Sequence, residues 1–396
     1  MVAGDKHTPA EIHASSCPLG QQEGLPKELY GYTVQAMGAA IPPGGFKGRG
    51  ALSNPPNRFD RQKGEGVDDG WYREEAAASI ATELKPDTTR SIIARNDSPD
   101  IPYDQSINPY RGCEHGCIFC YARPSHAYLG YSPGIDFETR LVYKADAAAL
   151  LRRELARPGY RCRQIMLGSN TDPYQPVERR LGITRAILEV LAETRHPVAI
   201  TTRSALVVRD LDLLSAMARQ GLSSVYFSIT TFDPDLKRAL EPRSAASTAR
   251  LQAMRELAAA GVPVGVMAAP MIPAVNDSEL ETILERSADA GAKGAGYTLL
   301  RLPHEVSGLF REWLDRHMPD RAAHVMSLIQ AARGGRDNDP SFRLRMSGTG
   351  AWARLLSDRY RLAVRRLGLD GDREIDLVTS LFQPPREQPP QLSLAL

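Results

Sequence analysis

From about residue 106 to residue 300, short apolar runs alternate with amphipathic stretches, and no other feature limits the fold as tightly. The apolar runs fall at 106–110, 164–168, 197–202, 224–229, 262–268 and 295–300. Between them lie segments with helical spacing of apolar residues, at 144–156, 178–193, 210–219, 246–260 and 278–290. Strands that are apolar throughout, separated by helices, belong to a parallel sheet covered on its faces. Gly221, Gly261 and Gly291 stand where helices give way to the next strand, as left-handed helix ends require. The expected class is therefore α/β with six βα units. Periodicity alone leaves a partial barrel and a doubly wound sheet both open.

The flanks differ from this core. Residues 1–45 are rich in Gly, Pro and small polar residues and read as a tail. Residues 46–100 begin with a Gly, Asn and Pro-dense stretch, Gly48-Arg49-Gly50-Ala51 to Asn57-Arg58-Phe59, which reads either as an arm over the core or as a linker. The core is expected over 101–305. Helical patterns at 307–317, 321–332 and 351–367 make a helical C-terminal extension over 306–382, and a Pro-rich tail follows at 383–396. No apolar run approaches the ~20 residues of a membrane span, and the first residues lack a secretory signal. A cytoplasmic protein with no membrane partner is expected. The 49 basic and 47 acidic residues leave a net charge of +2, which neither demands nor excludes nucleic acid.

Five cysteines are present, and Cys113, Cys117 and Cys120 fall within eight residues, after the first strand. An odd count in such a chain argues against a disulfide framework and for metal. Three thiolates suit three irons of a four-iron cube and leave the fourth iron open to a small molecule. A structural zinc site formed with His115 or His126 is the competing reading. Cys162 and Cys17 read as inert thiols.

The stretch Asn108-Pro109-Tyr110-Arg111-Gly112-Cys113-Glu114-His115-Gly116-Cys117-Ile118-Phe119-Cys120-Tyr121 resembles the cluster loop of the radical S-adenosylmethionine (SAM) superfamily. The resemblance implies a partial (βα)6 TIM-like barrel with a [4Fe–4S] cluster on Cys113, Cys117 and Cys120. It implies that SAM binds the open iron through its amine and carboxylate. One electron from the cluster then cleaves SAM to methionine and a 5′-deoxyadenosyl radical, which abstracts hydrogen from substrate. Such chemistry needs an electron donor such as flavodoxin or ferredoxin. Tyr121, directly after the cluster, is a candidate for lining the substrate side.

Ligands of α/β folds sit outside the carboxyl ends of the strands, so the polar groups there are the SAM candidates. Ser169, Asn170 and Asp172 follow the second strand; helix capping explains such residues equally well. Ser228 ends the fourth strand and Arg243 lies beyond it, with a guanidinium suited to the SAM carboxylate. A solvated charge is the alternative for Arg243. Tyr297 and Arg301 read either as mouth or as core and rim residues.

The block Thr171-Asp172-Pro173-Tyr174-Gln175-Pro176 with Glu241-Pro242-Arg243 resembles the branch related to spore photoproduct lyase, often called DNA repair photolyase-like. The Gly48-to-Phe59 arm resembles an uncharacterised bacterial group within that branch. Ser169 departs from the branch, where a hydrogen-donating cysteine follows the second strand, so repair of spore photoproduct itself is not expected. Two features hint at DNA. The end of the chain, Gln391–Leu396, resembles peptides that dock on the sliding clamp. Arg343, Arg345, Arg354, Arg359, Arg361, Arg365 and Arg366 form a basic stripe suited to phosphates or to a solvated helix face. The rival readings are the same chemistry on a protein or small metabolite, and a non-catalytic zinc-binding DNA-associated module.

Overall fold

The computed structural model describes residues 45–60, 79–369 and 377–385. The expectations for residues 1–44, the middle of the arm (61–78), Cys17 and the Gln391–Leu396 peptide lie outside the described residues. The strands are β1 (Glu83–Pro86), β2 (Ile93–Arg95), β3 (Gln105–Ile107), β4 (Tyr110–Arg111), β5 (Arg140–Tyr143), β6 (Ile165–Leu167), β7 (Val198–Thr202), β8 (Ser223–Ile229), β9 (Val264–Met271) and β10 (Gly294–Leu299). The helices are α1 (Asp136–Thr139), α2 (Ala147–Leu155), α3 (Glu178–Leu181), α4 (Ile183–Glu193), α5 (Leu211–Ala218), α6 (Pro234–Leu240), α7 (Ser247–Ala259), α8 (Leu280–Asp289), α9 (Val306–His317), α10 (Ala322–Ala331), α11 (Leu344–Ser347) and α12 (Gly350–Leu367).

The main sheet runs β10-β9-β8-β7-β6-β3-β2. Six of its strands are parallel neighbours, and β2 adds an antiparallel edge to β3. The sheet does not close, because β10 and β2 stand at opposite edges. The result is the open, partial barrel, with α4, α5, α7 and α8 on its outside. A small sheet, β1-β5-β4, sits beside the cysteine loop.

Register explains both faces of the sheet. Ile200, Val225 and Val264 are in register, fully buried, and packed under the helices with Leu188, Leu214 and Leu257. The other face carries Thr201, Tyr226 and Gly265 side by side, then Ser228, Met267 and Gly296. Gly265, Ser228 and Gly296 leave room here beside Tyr226 and Met267. A Cβ on Gly265 would lie 2.3 Å from the Tyr226 ring, so glycine is what lets that ring lie across the sheet. Fully burying one Val, Leu or Ile contributes about 1.5–3 kcal/mol, so the helix-facing layer carries the fold and the concave layer is free for function.

The expected helix at 178–193 is broken. Gly182 adopts φ 62° and separates α3 from α4. The break lets Glu178 accept the Thr184 N–H at 3.1 Å while it also binds Arg209 at 2.8 Å and the Tyr110 hydroxyl. The end of the chain also departs from expectation. Residues 377–385, divided between the helical extension and a loose tail, form a strap across the amino ends of the strands. Val378 donates to the Gly221 carbonyl and Gln383 to that of Thr194, both at 2.9 Å. Phe382 packs against Tyr160 and His196, with ring centroids 5.4 Å away in both cases. Under it, the Tyr160 hydroxyl joins His196 Nε2 at 2.8 Å and Gln105 Oε1 at 2.9 Å. No helix among the described residues is long and apolar enough to cross a membrane.

Candidate active site at the carboxyl ends of the strands

The cysteine loop leaves β4 and crosses the mouth of the barrel. Two of its turns need positive φ, at Gly112 (81°) and Gly116 (68°). Cys113 and Cys117 are buried, and Cys120 is half-buried. Burial pushes all three thiols above the ordinary thiol value. A thiolate in this dry pocket is stable only when a metal takes up its charge. The loop is anchored by apolar packing as well. Ile118 and Phe119 sit in a buried cluster with Leu240 of α6 and Phe310 and Trp313 of α9, so the C-terminal extension backs the cysteine loop directly.

The N-terminal arm grips the same loop from outside. The N–H groups of Gly50 and Ala51 donate to Glu138 Oε2 and Oε1 at 2.9 and 2.8 Å. Glu138 also pairs with Arg123, and both side chains are fully buried. Arg123 in turn donates to the carbonyls of Cys117, Pro133 and Gly134. A Cβ at Gly50 would lie 1.8 Å from the carbonyl oxygen of Gly116, so arm and loop touch backbone to backbone. Glycine's missing side chain is what permits the contact.

The polar block after β6 faces inward onto the loop. Thr171 Oγ1 donates to the Tyr110 carbonyl at 2.8 Å, and Gln175 spans the Gly112 carbonyl (3.2 Å) and the Glu114 N–H (2.9 Å). Asp172 accepts from Thr202 Oγ1 and the Arg203 N–H, both at 2.7 Å, and lies 3.3 Å from His115 Nδ1. Burial raises its carboxyl, but His115 and these donors outweigh it and hold it below the usual value. Both Asp172 oxygens are thus already engaged within the protein. Asn108 organises the neighbouring turn: its Oδ1 accepts from the N–H groups of Asn170 and Thr171, and its Nδ2 donates to Ser169 Oγ at 3.1 Å. Ser169 is half-buried and Asn170 exposed. The Tyr121 hydroxyl donates to the Ser169 carbonyl, and 45% of Tyr121 is exposed toward the mouth.

Ser228 lies buried on the concave face, and its carbonyl accepts from Arg250 at 2.7 Å. Arg243 stands at the rim, 37% exposed, with its N–H on the His115 carbonyl and its guanidinium 3.4 Å from Glu114. Sequence reasoning passed over the charges deepest in the site. Glu241 is fully buried, with Arg203 at 2.7 Å on one oxygen, Arg250 on the other, and Cys117 Sγ 4.0 Å away. Burial raises the Glu241 carboxyl, yet Arg250 and Arg203 prevail and hold it low. Arg203 also donates to Thr230 Oγ1 and the Ala269 carbonyl, both at 2.9 Å, and lies 5.0 Å over the Phe119 ring. A charged residue ending an apolar strand was the available signal for Arg203. For Glu241 it was its place in the Glu241-Pro242-Arg243 block.

His126 is buried with Nε2 3.0 Å from the Arg140 carbonyl, and His115 faces Asp172. Among the described residues no three His, Cys, Asp or Glu side chains converge on a single ion. A cube distributes its thiolates over separate irons and makes no such demand. The basic stripe is largely neutralised. Arg345 pairs with Asp100, Arg359 with Glu281, Arg361 with Asp358 and Arg366 with Glu285.

Comparison with known proteins bears on the same region. The sequence profile of the Radical SAM superfamily matches residues 107–286. An uncharacterized protein of Mycobacterium tuberculosis is 39% identical over 245 residues, which is 61% of this chain and 71% of that one. An uncharacterized protein of Methanocaldococcus jannaschii is 30% identical over 173 residues, covering 44% and 62% of the two chains. Among solved structures, spore photoproduct lyase complexed with dinucleoside spore photoproduct superposes with a TM-score of 0.52 at 17% identity, over 72% of this chain and 79% of that one. That likeness is one of fold. The cysteine loop, the open parallel barrel and the profile agree: the chain belongs to the radical SAM superfamily, whose cofactors are a [4Fe–4S] cluster and S-adenosylmethionine.

Proposed function

We propose that this chain holds the cluster on Cys113, Cys117 and Cys120, cleaves SAM reductively and abstracts hydrogen from a substrate at the barrel mouth. The observation that supports the reading is the spacing and burial of the three thiols, Cys113 and Cys117 buried and Cys120 half-buried, on the loop that follows β4 beside an open parallel sheet. Cys113, Cys117 and Cys120 would hold the cluster, which would supply the one-electron chemistry for reductive SAM cleavage and hydrogen abstraction. The chain's own groups position the partners. Arg203, flanked by Glu241 and Thr230, presents a guanidinium beside the cysteines, where the SAM carboxylate would lie. Ser169, Asn170, Ser228 and the rim charge Arg243 are the further SAM contacts. Asp172 serves by holding His115 and Arg203 in place. Tyr121 lines the substrate side. The electron comes from a flavodoxin- or ferredoxin-like partner.

Nucleic acid is the first substrate class to test, because the fold neighbour carries a dinucleoside lesion. The paired state of the Arg stripe favours the second reading, a small metabolite or a peptide. The test is anaerobic reconstitution with iron and sulfide, then dithionite and SAM, with 5′-deoxyadenosine measured by chromatography. Wild type should form it and Cys117→Ala should not. A wild-type protein that binds zinc, stays colourless and cleaves nothing sinks the reading. DNA binding that is lost steeply with added salt, and that never couples to turnover, moves the substrate away from nucleic acid.

A further inference from the structure

The barrel mouth holds two guanidinium groups with no carboxylate in ion-pair contact among the described residues. Arg301 follows β10, and its Cζ lies 5.0 Å from the ring centroid of Tyr121, the residue after Cys120. Its Nε is buried with no hydrogen-bond partner. Arg333, only 2% exposed, spends its donors on main-chain carbonyls: Leu300 at 2.7 Å and Leu344 at 2.8 Å. Leu300 directly precedes Arg301, so Arg333 fixes the turn that presents it. Among the described residues neither arginine forms an ion pair, whereas Arg345 nearby is neutralised by Asp100 at 2.5 Å. Burial and the neighbouring Arg301 push Arg333 down to about 10. Burial and Arg345 lower Arg301 as well, against a raising influence from Tyr121.

Two neighbouring cations with no carboxylate in ion-pair contact, and only Asp100 and Asp339 acting on them from farther off, are costly, since a buried charge is normally paired. Proteins keep such violations of local consistency at functional sites. An anion supplied from outside would relieve the repulsion and satisfy the orphaned Nε. A guanidinium engages phosphate or carboxylate through parallel N–H donors, which adds geometry to charge. The position is also right for it. Arg301 stands against the aromatic ring that borders the cysteine loop, on the open side of the barrel.

We infer that Arg301 is the anchor for an oxyanion of the substrate, a phosphate or a carboxylate, seated at the barrel mouth beside Tyr121, with Arg333 as the residue that positions it. This rests on the functional reading above and names the chemical class its substrate must carry.

The test is calorimetric titration of the full anaerobically reconstituted chain, without SAM, in chloride buffer. The probes are inorganic phosphate and, separately, acetate. At least one should bind wild type, and Arg301→Gln should weaken it at least about tenfold, as loss of a two-point charged contact requires. Arg301→Lys, which keeps the charge and loses the fork, should fall between them. Arg354→Gln, on the exposed face of α12, should leave binding unchanged and so excludes a general charge effect. Preference for phosphate identifies a phosphorylated or nucleotide substrate, and preference for acetate a carboxylate. If neither probe binds, or if Arg301→Gln binds as wild type does, the inference is overturned. Deoxyadenosine formation without substrate is scored separately. A protein that binds phosphate through Arg301 but never cleaves SAM keeps this inference and loses the function, and the converse result does the opposite.

Discussion

Glu138→Gln offers a sharp test of how the cysteine loop is held. Glu138 is fully buried and accepts from three donors at once: the Gly50 and Ala51 N–H groups and the Arg123 guanidinium. Glutamine keeps the shape but offers one carbonyl oxygen in place of two. Its amide would point donors at a donor, and Arg123 would remain buried without its counter-charge. Removing one member of a buried pair costs about 3–5 kcal/mol. A lost acceptor for a buried N–H costs about 1–3 kcal/mol where nothing replaces it. Neighbouring effects overlap, so a loss of about 4 kcal/mol is expected overall. With a urea slope of about 3 kcal/mol/M, the midpoint should fall by more than about 1 M. The assay is anaerobic urea unfolding of cluster-free protein, followed by the fluorescence of buried Trp313. The double variant Arg123→Met with Glu138→Gln should lose less than the two single variants together, by at least about 1 kcal/mol. A Glu138→Gln cost below about 1 kcal/mol, or a strictly additive double variant, refutes the idea that arm and loop are joined through a buried charge pair.

Gly50→Ala forces the arm away from Gly116, which lies between two of the cysteines, so iron retained after reconstitution and desalting should drop while the far-ultraviolet circular dichroism stays wild type. Arg250→Met leaves Glu241 with one of its two cations and should lower stability by about 3–5 kcal/mol, whereas Arg243→Ala at the rim should change it by less than about 0.5 kcal/mol, both read as urea midpoints. Asp172 carries a depressed carboxyl, so its contribution is complete above the unfolded value of about 3.9 and is lost as pH falls through the lower folded value. Asp172→Asn should therefore flatten the acid limb of the stability curve below about pH 4, and equal slopes for the two proteins would count against the brace.

The six parallel strands were legible because each carries a short apolar run between helical segments, and the helix ends because glycine marks them. β1 was invisible for the opposite reason. Glu83-Leu84-Lys85-Pro86 is mostly exposed, and only its pairing with β5 makes it a strand. The cysteines announced themselves by spacing. Glu138, Glu241 and Arg203 did not, because each takes its meaning from partners far along the chain: Gly50 for the first, Arg203 and Arg250 for the second. The block after β6 was singled out correctly as polar, but sequence cannot say which way a polar side chain faces. Thr171 and Gln175 turn inward and spend their hydrogen bonds on the cysteine loop, while Asp172 accepts from Thr202 and Arg203 at the end of β7. The pairing of the arginine stripe was illegible for a related reason: its counter-charges Asp100, Glu281 and Glu285 lie on other elements.

The strap at 377–385 sets an order of events during synthesis. The amino ends of β6, β7 and β8 rest under Phe382, yet Phe382 leaves the ribosome well after those strands have done so. At 5–20 residues per second, the roughly 150 residues between β8 and the strap take on the order of 10–30 s. Through that interval, while β9, β10 and the C-terminal helices are still being added, Gln105, Tyr160 and His196 have no Phe382 to cover them. A nascent chain halted before residue 377 would leave them so, and the strap is the last latch the molecule closes.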